Sequence, residues 1–186
     1  MADELLDIVD DVDRVVSHKM RSTVHRLGLW HRGVHVFLFT PQQALLVQVR
    51  SRHTDTYPLA LDCSVSEHVK AGETYRHAAL RGLKEELNLE HVHLQPVIKF
   101  RMQYGEGDFE ICVLYTARAK ISEVHFDPHE VEAVAFYRME QLKEMVDGNP
   151  SAFSKWLAQL VFWVYGSPNE LQILQAYKQS GTWPMP

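Results

Sequence analysis

Apolar residues follow two periods along this chain. Runs rich in β-branched and aromatic residues, bounded by turn residues, mark strands at 5–9 and 15–17 around the acidic Asp10-Asp11 turn, and at 31–40 and 44–49 around Pro41-Gln42-Gln43. Both couples read as hairpins. Two more runs, 97–104 and 109–119, flank Gly105-Glu106-Gly107, and a short one covers 131–137. Over 73–88 the period lengthens to that of a helix, with Leu80, Leu83 and Leu87 in one apolar stripe and Glu85, Glu86 and position 82 on the other half. Further helices are predicted at 139–146, 152–165 and 169–179. Strands interleaved with helices predict an α/β fold, a mixed sheet covered on both faces. No repeat or linker divides the chain, so one domain is expected over 1–186, with an N-terminal hairpin and lead-in segment (1–30) and a C-terminal helical extension (150–186).

A chain of 186 residues, 46% of them hydrophobic, can bury its own core, so disorder is not expected. The formal charge of -5 gives no general reason to bind nucleic acid, and a phosphorylated ligand would have to be met by local arginines or a metal. The acidic N-terminus has no basic patch before an apolar run. The apolar run 157–165, broken by Gln159, is far shorter than the roughly 20 residues that span a bilayer. No membrane partner and a cytoplasmic location are therefore expected, with Cys63 and Cys112 as reduced thiols. Trp156, Phe162, Trp163 and Tyr165 either cover the core or form a homodimer contact; composition leaves both open.

Candidate chemistry gathers around the helix at 73–88. Gly72 stands at its start and Glu73 in its first turn, where a carboxylate complements the helix dipole. Glu85 and Glu86 can offer oxygen ligands to a hard cation. Between them on the helical wheel lies Gly82, which costs about 1 kcal/mol relative to alanine in a helix interior. Arg81 is in contact range of Glu85 one turn on. Asp108 and Glu110, two apart on a strand, share a face and can converge on one ion. His31 and His35 also share a strand face, and capping the sheet explains them as well as ligation does. Arg50 and Arg52 can grip a diphosphate through paired hydrogen bonds, or simply be solvated.

Residues 72–89 resemble a Nudix box with defects. The pattern G-x5-E-x7-R-E-U-x-E-E-x-G-U, with U a bulky aliphatic residue, finds Glu73, Arg81, Leu83, Glu85, Glu86 and Leu89 in place. Glu67 stands where the first glycine belongs, Gly82 where a glutamate belongs, and Asn88 where the last glycine belongs. VHRLGLWHRGVHV (24–36), DTYP (55–58) and SVSEHVKAGE (64–73) are similar to the branch of that superfamily related to isopentenyl-diphosphate isomerase. The resemblance runs from about Leu5 to Phe153 and implies the Nudix α/β/α sandwich, here with extra C-terminal helices.

It further implies a metal-dependent hydrolase of a small diphosphate-linked substrate, of nucleoside diphosphate type, using Mg2+ or Mn2+. Glu85, Glu86 and Glu67 would be catalytic, and Arg50, Arg52 and Arg81 would bind substrate, with Arg81 also orienting Glu85. Metal ligands would come from Glu85, Glu86, Glu110, Asp108, His31 and His68; His25 lies one residue out of register with a third metal histidine of the isomerases. The general base is open among Glu67, Glu110 and Glu130. Two alternatives stand beside this. One is an isomerase-like enzyme working through His31, His68, Asp108 and Glu110, ranked lower because Ser66 stands where the isomerases use a cysteine. The other is a non-catalytic Nudix-fold module binding a diphosphate or a protein, which Gly82 and Glu67 favour. Glu67 either obstructs the loop or returns the carboxylate that Gly82 removes.

Overall fold

Strand β3 (Trp30–Phe39) is the axis of the sheet in the computed structural model, which describes residues 3–178. It runs parallel to β8 (Asp108–Arg118) along its whole length, from Trp30↔Phe109 to Phe39↔Arg118. On its other edge it pairs antiparallel with β6 (Val65–His68), from Gly33↔His68 to Val36↔Val65. Strands β1 (Leu5–Val9) and β2 (Val15–Met20) form the expected N-terminal hairpin, and β7 (Gln95–Gly105) forms the second with β8. The mixed sheet also contains β4 (Leu45–Arg50), β5 (Leu61–Asp62) and β9 (Val131–Tyr137).

Alternation along these strands builds two cores. Phe37, Phe39, Cys112 and Leu114 face helices α3 (Met139–Gly148) and α4 (Lys155–Val164), packing on Leu142, Val146, Leu157 and Val161. Val34, Val36, Leu38 and Val113 face α2 (Tyr75–Leu87) and pack on Ala78, Ala79, Leu83 and Leu87. Leu80, expected in the buried stripe, is only partly covered. This is the anticipated α/β/α arrangement. Trp156 is buried in the first core, and Phe162, Trp163 and Tyr165 pack against it. Cys63 and Cys112 are free and buried, and no helix among the described residues is long and apolar enough to cross a membrane.

Three expectations need correction. The hairpin over 31–49 closes only at its root, Phe39↔Leu45. Beyond it β4 turns away to pair with β5 and β9, and β6 takes the vacated edge of β3. The sheet therefore splits between β3 and β4. The helix expected at 169–179 is instead a strand, β10 (Gln172–Ala176), paired with β7; Gln179 lies outside the described residues. The open edge of β7 supplies backbone partners that outweigh a weak helical pattern. Glu73 precedes α2 rather than lying in its first turn, because Thr74 is the N-cap, accepting from the His77 amide at 3.2 Å. At the other end Asn88 takes the left-handed cap conformation, φ 54°. A short helix, α1 (Arg21–Leu27), was not anticipated.

Gly82 sits where α2 presses on β6. A Cβ there would lie 2.4 Å from Val65 Cγ1 and 2.8 Å from Glu67 Cγ, and the short, branched valine cannot swing aside. Gly82→Ala is therefore expected to destabilise the protein by about 1–3 kcal/mol in urea unfolding through overpacking, despite alanine's better helix propensity. A gain in stability would show that helix and strand separate freely at this point.

Candidate metal centre and cleft

Strand register assembles the centre. It sets His31 beside Glu110 across β3 and β8, and Gly33 between His68 of β6 and Cys112 of β8. His31, Gly33, His35, Glu110 and Cys112 share the sheet face of Phe37. A Cβ on Gly33 would lie 1.9 Å from Glu110 Oε2, so the missing side chain is what lets this carboxyl lie across β3. Glu110 Oε1 then stands 3.7 Å from both His31 Nε2 and His68 Nε2. Helix α1 brings in His25, whose ring centroid is 4.9 Å from that of His31 and 5.3 Å from that of His68. The β7–β8 turn packs against it: Gly107, φ 76°, leaves room for the His25 carbonyl where a Cβ would come within 2.1 Å. Asp108 Oδ1 follows, 3.7 Å from His25 Nδ1.

These five side chains fit a divalent metal. His31 Nδ1 donates to the Leu29 carbonyl at 3.0 Å, which leaves Nε2 as a bare lone pair. His31 Nε2, His25 Nε2 and Asp108 Oδ1 are buried without a hydrogen-bond partner, a costly condition that a cation removes. Burial holds His31 uncharged, down to about 4, and pushes His68 and His25 below the usual histidine range. Burial also raises Glu110 and Asp108; the charge of Asp108 adds to the rise at Glu110, whereas His25 and a hydrogen bond from Glu110 hold Asp108 back. Uncharged imidazoles beside carboxyls lacking a cation are the donor set of a divalent metal site.

A cleft of about 470 Å3 opens over this centre. Glu67, Arg81, Glu85 and Glu86 line its opposite wall. Arg81 is fully engaged there: Nη1 donates to Glu67 at 2.9 Å and Glu85 at 3.1 Å, Nε and Nη2 to Glu73 at 3.2 Å, and Nη2 to the His68 carbonyl at 2.8 Å. Glu86 is buried and accepts from Gln48 of β4, while Glu85 is half-exposed at the mouth. Burial raises Glu67 to about 7, against the pull of Arg81, and holds Glu86 well above the usual carboxylate range, with Glu67 adding to the effect.

Of the residues singled out from sequence, the structure brings His31, His68, Asp108 and Glu110 together and adds His25. Glu85 and Glu86 reach the cleft from α2, on the other face of the sheet, as a separate group. Arg50 lines the cleft with Nη1 on Asp62 at 2.6 Å. Arg52 lies on the exposed surface, bound to Glu132, outside the cleft lining. Arg21, which sequence reasoning passed over, lines the cleft and pairs with Asp55 at 3.5 Å. Its spacing of four from His25 puts both on one face of α1, a signal readable only once that helix is known.

The metal-free protein should lose stability in acid. His31 and His35 titrate near 4 when folded and near the ordinary 6.5 when unfolded. The unfolded chain therefore takes up protons first, and stability present above about pH 6.5 drains away towards pH 4, by up to about 1.4 kcal/mol per pH unit for each histidine. Glu67 has the opposite sign: raised from 4.5 to about 7, it stabilises the fold below 4.5 and loses that contribution as pH rises through 7. In urea unfolding between pH 4.5 and 7.5, His35→Asn should flatten the acid loss and Glu67→Gln should steepen it. An unchanged slope in His35→Asn would mean that its ring is not held neutral.

Residues 29–160 match the NUDIX domain family model. An uncharacterized Nudix hydrolase of Streptomyces coelicolor is 32% identical over 155 residues, 79% of this chain and 85% of that protein. The isopentenyl-diphosphate Delta-isomerase of Klebsiella pneumoniae is 28% identical over 163 residues, 84% and 88% of the two chains. A crystal structure from Deinococcus radiodurans superposes with a TM-score of 0.72 at 27% identity, covering 85% of this chain and 97% of that one. The matched span runs from β3 into α4 and takes in the box helix and the strands that carry Glu110 and His68, and by that match the chain belongs to the NUDIX family.

Proposed function

We propose that this protein is a metal-dependent Nudix hydrolase that cleaves a small diphosphate-linked compound of nucleoside diphosphate type. One observation carries the reading: His25, His68, Asp108 and Glu110 of the histidine and carboxylate cluster line the same cleft as Glu67, Glu86 and Arg50. Relatives at 32% and 31% identity, from Streptomyces coelicolor and Deinococcus radiodurans, carry the name Nudix hydrolase, which supports it. His25, His31, His68, Asp108 and Glu110 would hold a divalent ion, Mn2+ being the better match to mixed imidazole and carboxylate donors and Mg2+ to the carboxylates of the opposite wall. Such an ion supplies polarisation of a phosphoryl oxygen and acidification of a water.

The chain's own residues do the rest. Arg21 and Arg50 face the cleft and can turn from Asp55 and Asp62 to diphosphate oxygens, which guanidinium groups bind by paired hydrogen bonds. Arg81 holds Glu67, Glu73 and Glu85 in place rather than substrate. Glu67, titrating at about 7, is suited to accept a proton from the attacking water. The free, buried Cys63 and Cys112 agree with a reducing cytoplasm.

The histidine and carboxylate cluster also favours a second reading, isomerase-like chemistry. It ranks below hydrolysis because Ser66 offers a hydroxyl where a thiol is wanted, and because among the described residues Trp156 is the one apolar side chain lining the cleft, which leaves a hydrocarbon tail little to bury against.

Chromatographic detection of the phosphomonoester products from a panel of nucleoside diphosphate derivatives and isoprenoid diphosphates with Mg2+ or Mn2+, beside an isomerisation assay, tests the reading. Nucleoside diphosphate derivatives should be hydrolysed, with turnover reduced about 100-fold or more in Glu86→Gln and Glu67→Gln, and with weaker metal binding by calorimetry in Glu67→Gln. Isomerisation without hydrolysis would establish the second reading, and specific binding with neither reaction would make the protein a non-catalytic binder.

A further inference from the structure

We propose that His35, Tyr104 and Cys112 are positioning residues for Glu110, forming a directed hydrogen-bond chain that presents a single oxygen of that carboxylate to the metal. This rests on the reading of the His25, His31, His68, Asp108 and Glu110 cluster as the metal centre.

The direction follows from counting hydrogens. A carboxylate that ligates a metal is charged and can only accept. Cys112 Sγ lies 3.1 Å from Glu110 Oε2, so the thiol hydrogen points there. The sulfur has then used its one hydrogen, and the Tyr104 hydroxyl, 3.4 Å away, donates to it. Tyr104 in turn accepts from His35 Nε2 at 3.0 Å, which fixes the tautomer of His35. His35 Nδ1 is left as an acceptor and takes the Ser66 hydroxyl hydrogen at 3.1 Å. Ser66 is also 3.2 Å from Asp62 Oδ1, but that oxygen already accepts from the Cys63 amide at 2.6 Å, from Ser154 Oγ at 2.8 Å and from Trp156 Nε1.

The chain is rigid as well as directed. His35, Tyr104, Cys112 and Glu110 are all buried, and the His35 ring is stacked between Trp156, centroids 6.0 Å apart and 16° from parallel, and Phe100, at 6.1 Å and 19°. Glu110 Oε2 is occupied by the thiol, so Oε1 is the oxygen turned to His31 and His68, 3.7 Å from each Nε2. The metal would meet Glu110 through one oxygen whose orientation is set from its own strand and the two that flank it.

The test is Co2+ binding to the metal-free protein, followed by calorimetry and visible absorption, with thermal unfolding of each variant measured first. Tyr104→Phe and Cys112→Ala should each weaken Co2+ binding tenfold or more and shift the d–d bands, in the range typical for loss of a partner that orients a metal ligand. Cys112→Ser, which keeps a donor at that place, should recover most of both. Wild-type affinity and spectrum in Tyr104→Phe and Cys112→Ala would overturn the inference; should one variant not fold, the other decides. His31→Ala separates the two readings: Co2+ binding untouched by that change overturns the metal centre and this inference with it, whereas binding lost in His31→Ala but unchanged in the chain variants overturns the inference alone.

Discussion

A carboxylate deep in a protein must be protonated, paired or bound to a cation, and the site is built around that constraint at Glu110. The residue is 8% exposed, and its near ionisable partners, His31 and His68, are themselves kept uncharged by burial. Nothing in that trio supplies positive charge. The cost of leaving Glu110 ionised there would be several kcal/mol, so the folded chain either keeps it protonated or holds a cation beside it. Much of the local structure follows from making room for it. Gly33 lacks a side chain where the carboxyl crosses β3, β8 runs parallel to β3 in the register that sets Glu110 against His31, and Cys112 turns its thiol to the second oxygen.

The opposite wall solves a different packing problem with related chemistry. Helix α2 approaches β6 so closely at Gly82 that no side chain fits, and the methylene stem of Glu67 fills the space a helix side chain would take. The carboxylate missing from the helix is thus replaced by one rising from the strand, in contact with Arg81. The two departures from the box pattern at 67 and 82 are one structural exchange. Arg81 makes it workable, because its five donors tie Glu67, Glu73, Glu85 and the His68 carbonyl into one clasp, fastening β6 to the helix.

What the sequence revealed and what it hid divide along physical lines. Alternation and turn residues located the strands at 5–9, 31–40, 97–119 and 131–137, since those signals are local. Pairing is not local, and so the split between β3 and β4 was invisible. So was β10, where Gln172 to Ala176 are extended because β7 offers an edge and not because of their own preference. Helix α1 has seven mostly polar residues and a single buried one, Val24, too few for a periodic signal, and with it went the places of Arg21 and His25. Within the site, His31, His68, Asp108 and Glu110 were readable through family resemblance. His35 stood out beside His31 without a settled role, and Gly33 and Cys112 did not stand out, because a glycine that admits a neighbour's carboxyl and a thiol that directs it have meaning only across strands.

The split sheet is also what brings two sets of donor side chains to one cleft. Side-chain alternation sends His31, His68 and Glu110 to the face of α3 and α4, while Glu67 and Glu86 belong to the face of α2. In a continuous sheet the two sets would be separated by the backbone layer itself. Here β3 and β4 part after Phe39↔Leu45, β6 ends at His68, and Gln48 of β4 spans the gap by donating both to the Ser64 carbonyl and to Glu86. Residues from both faces therefore reach the same opening, where neither set has to cross the sheet. A cleft with imidazole and carboxylate donors on one wall and carboxylates on the other is suited to cations, which it can meet from both sides at once.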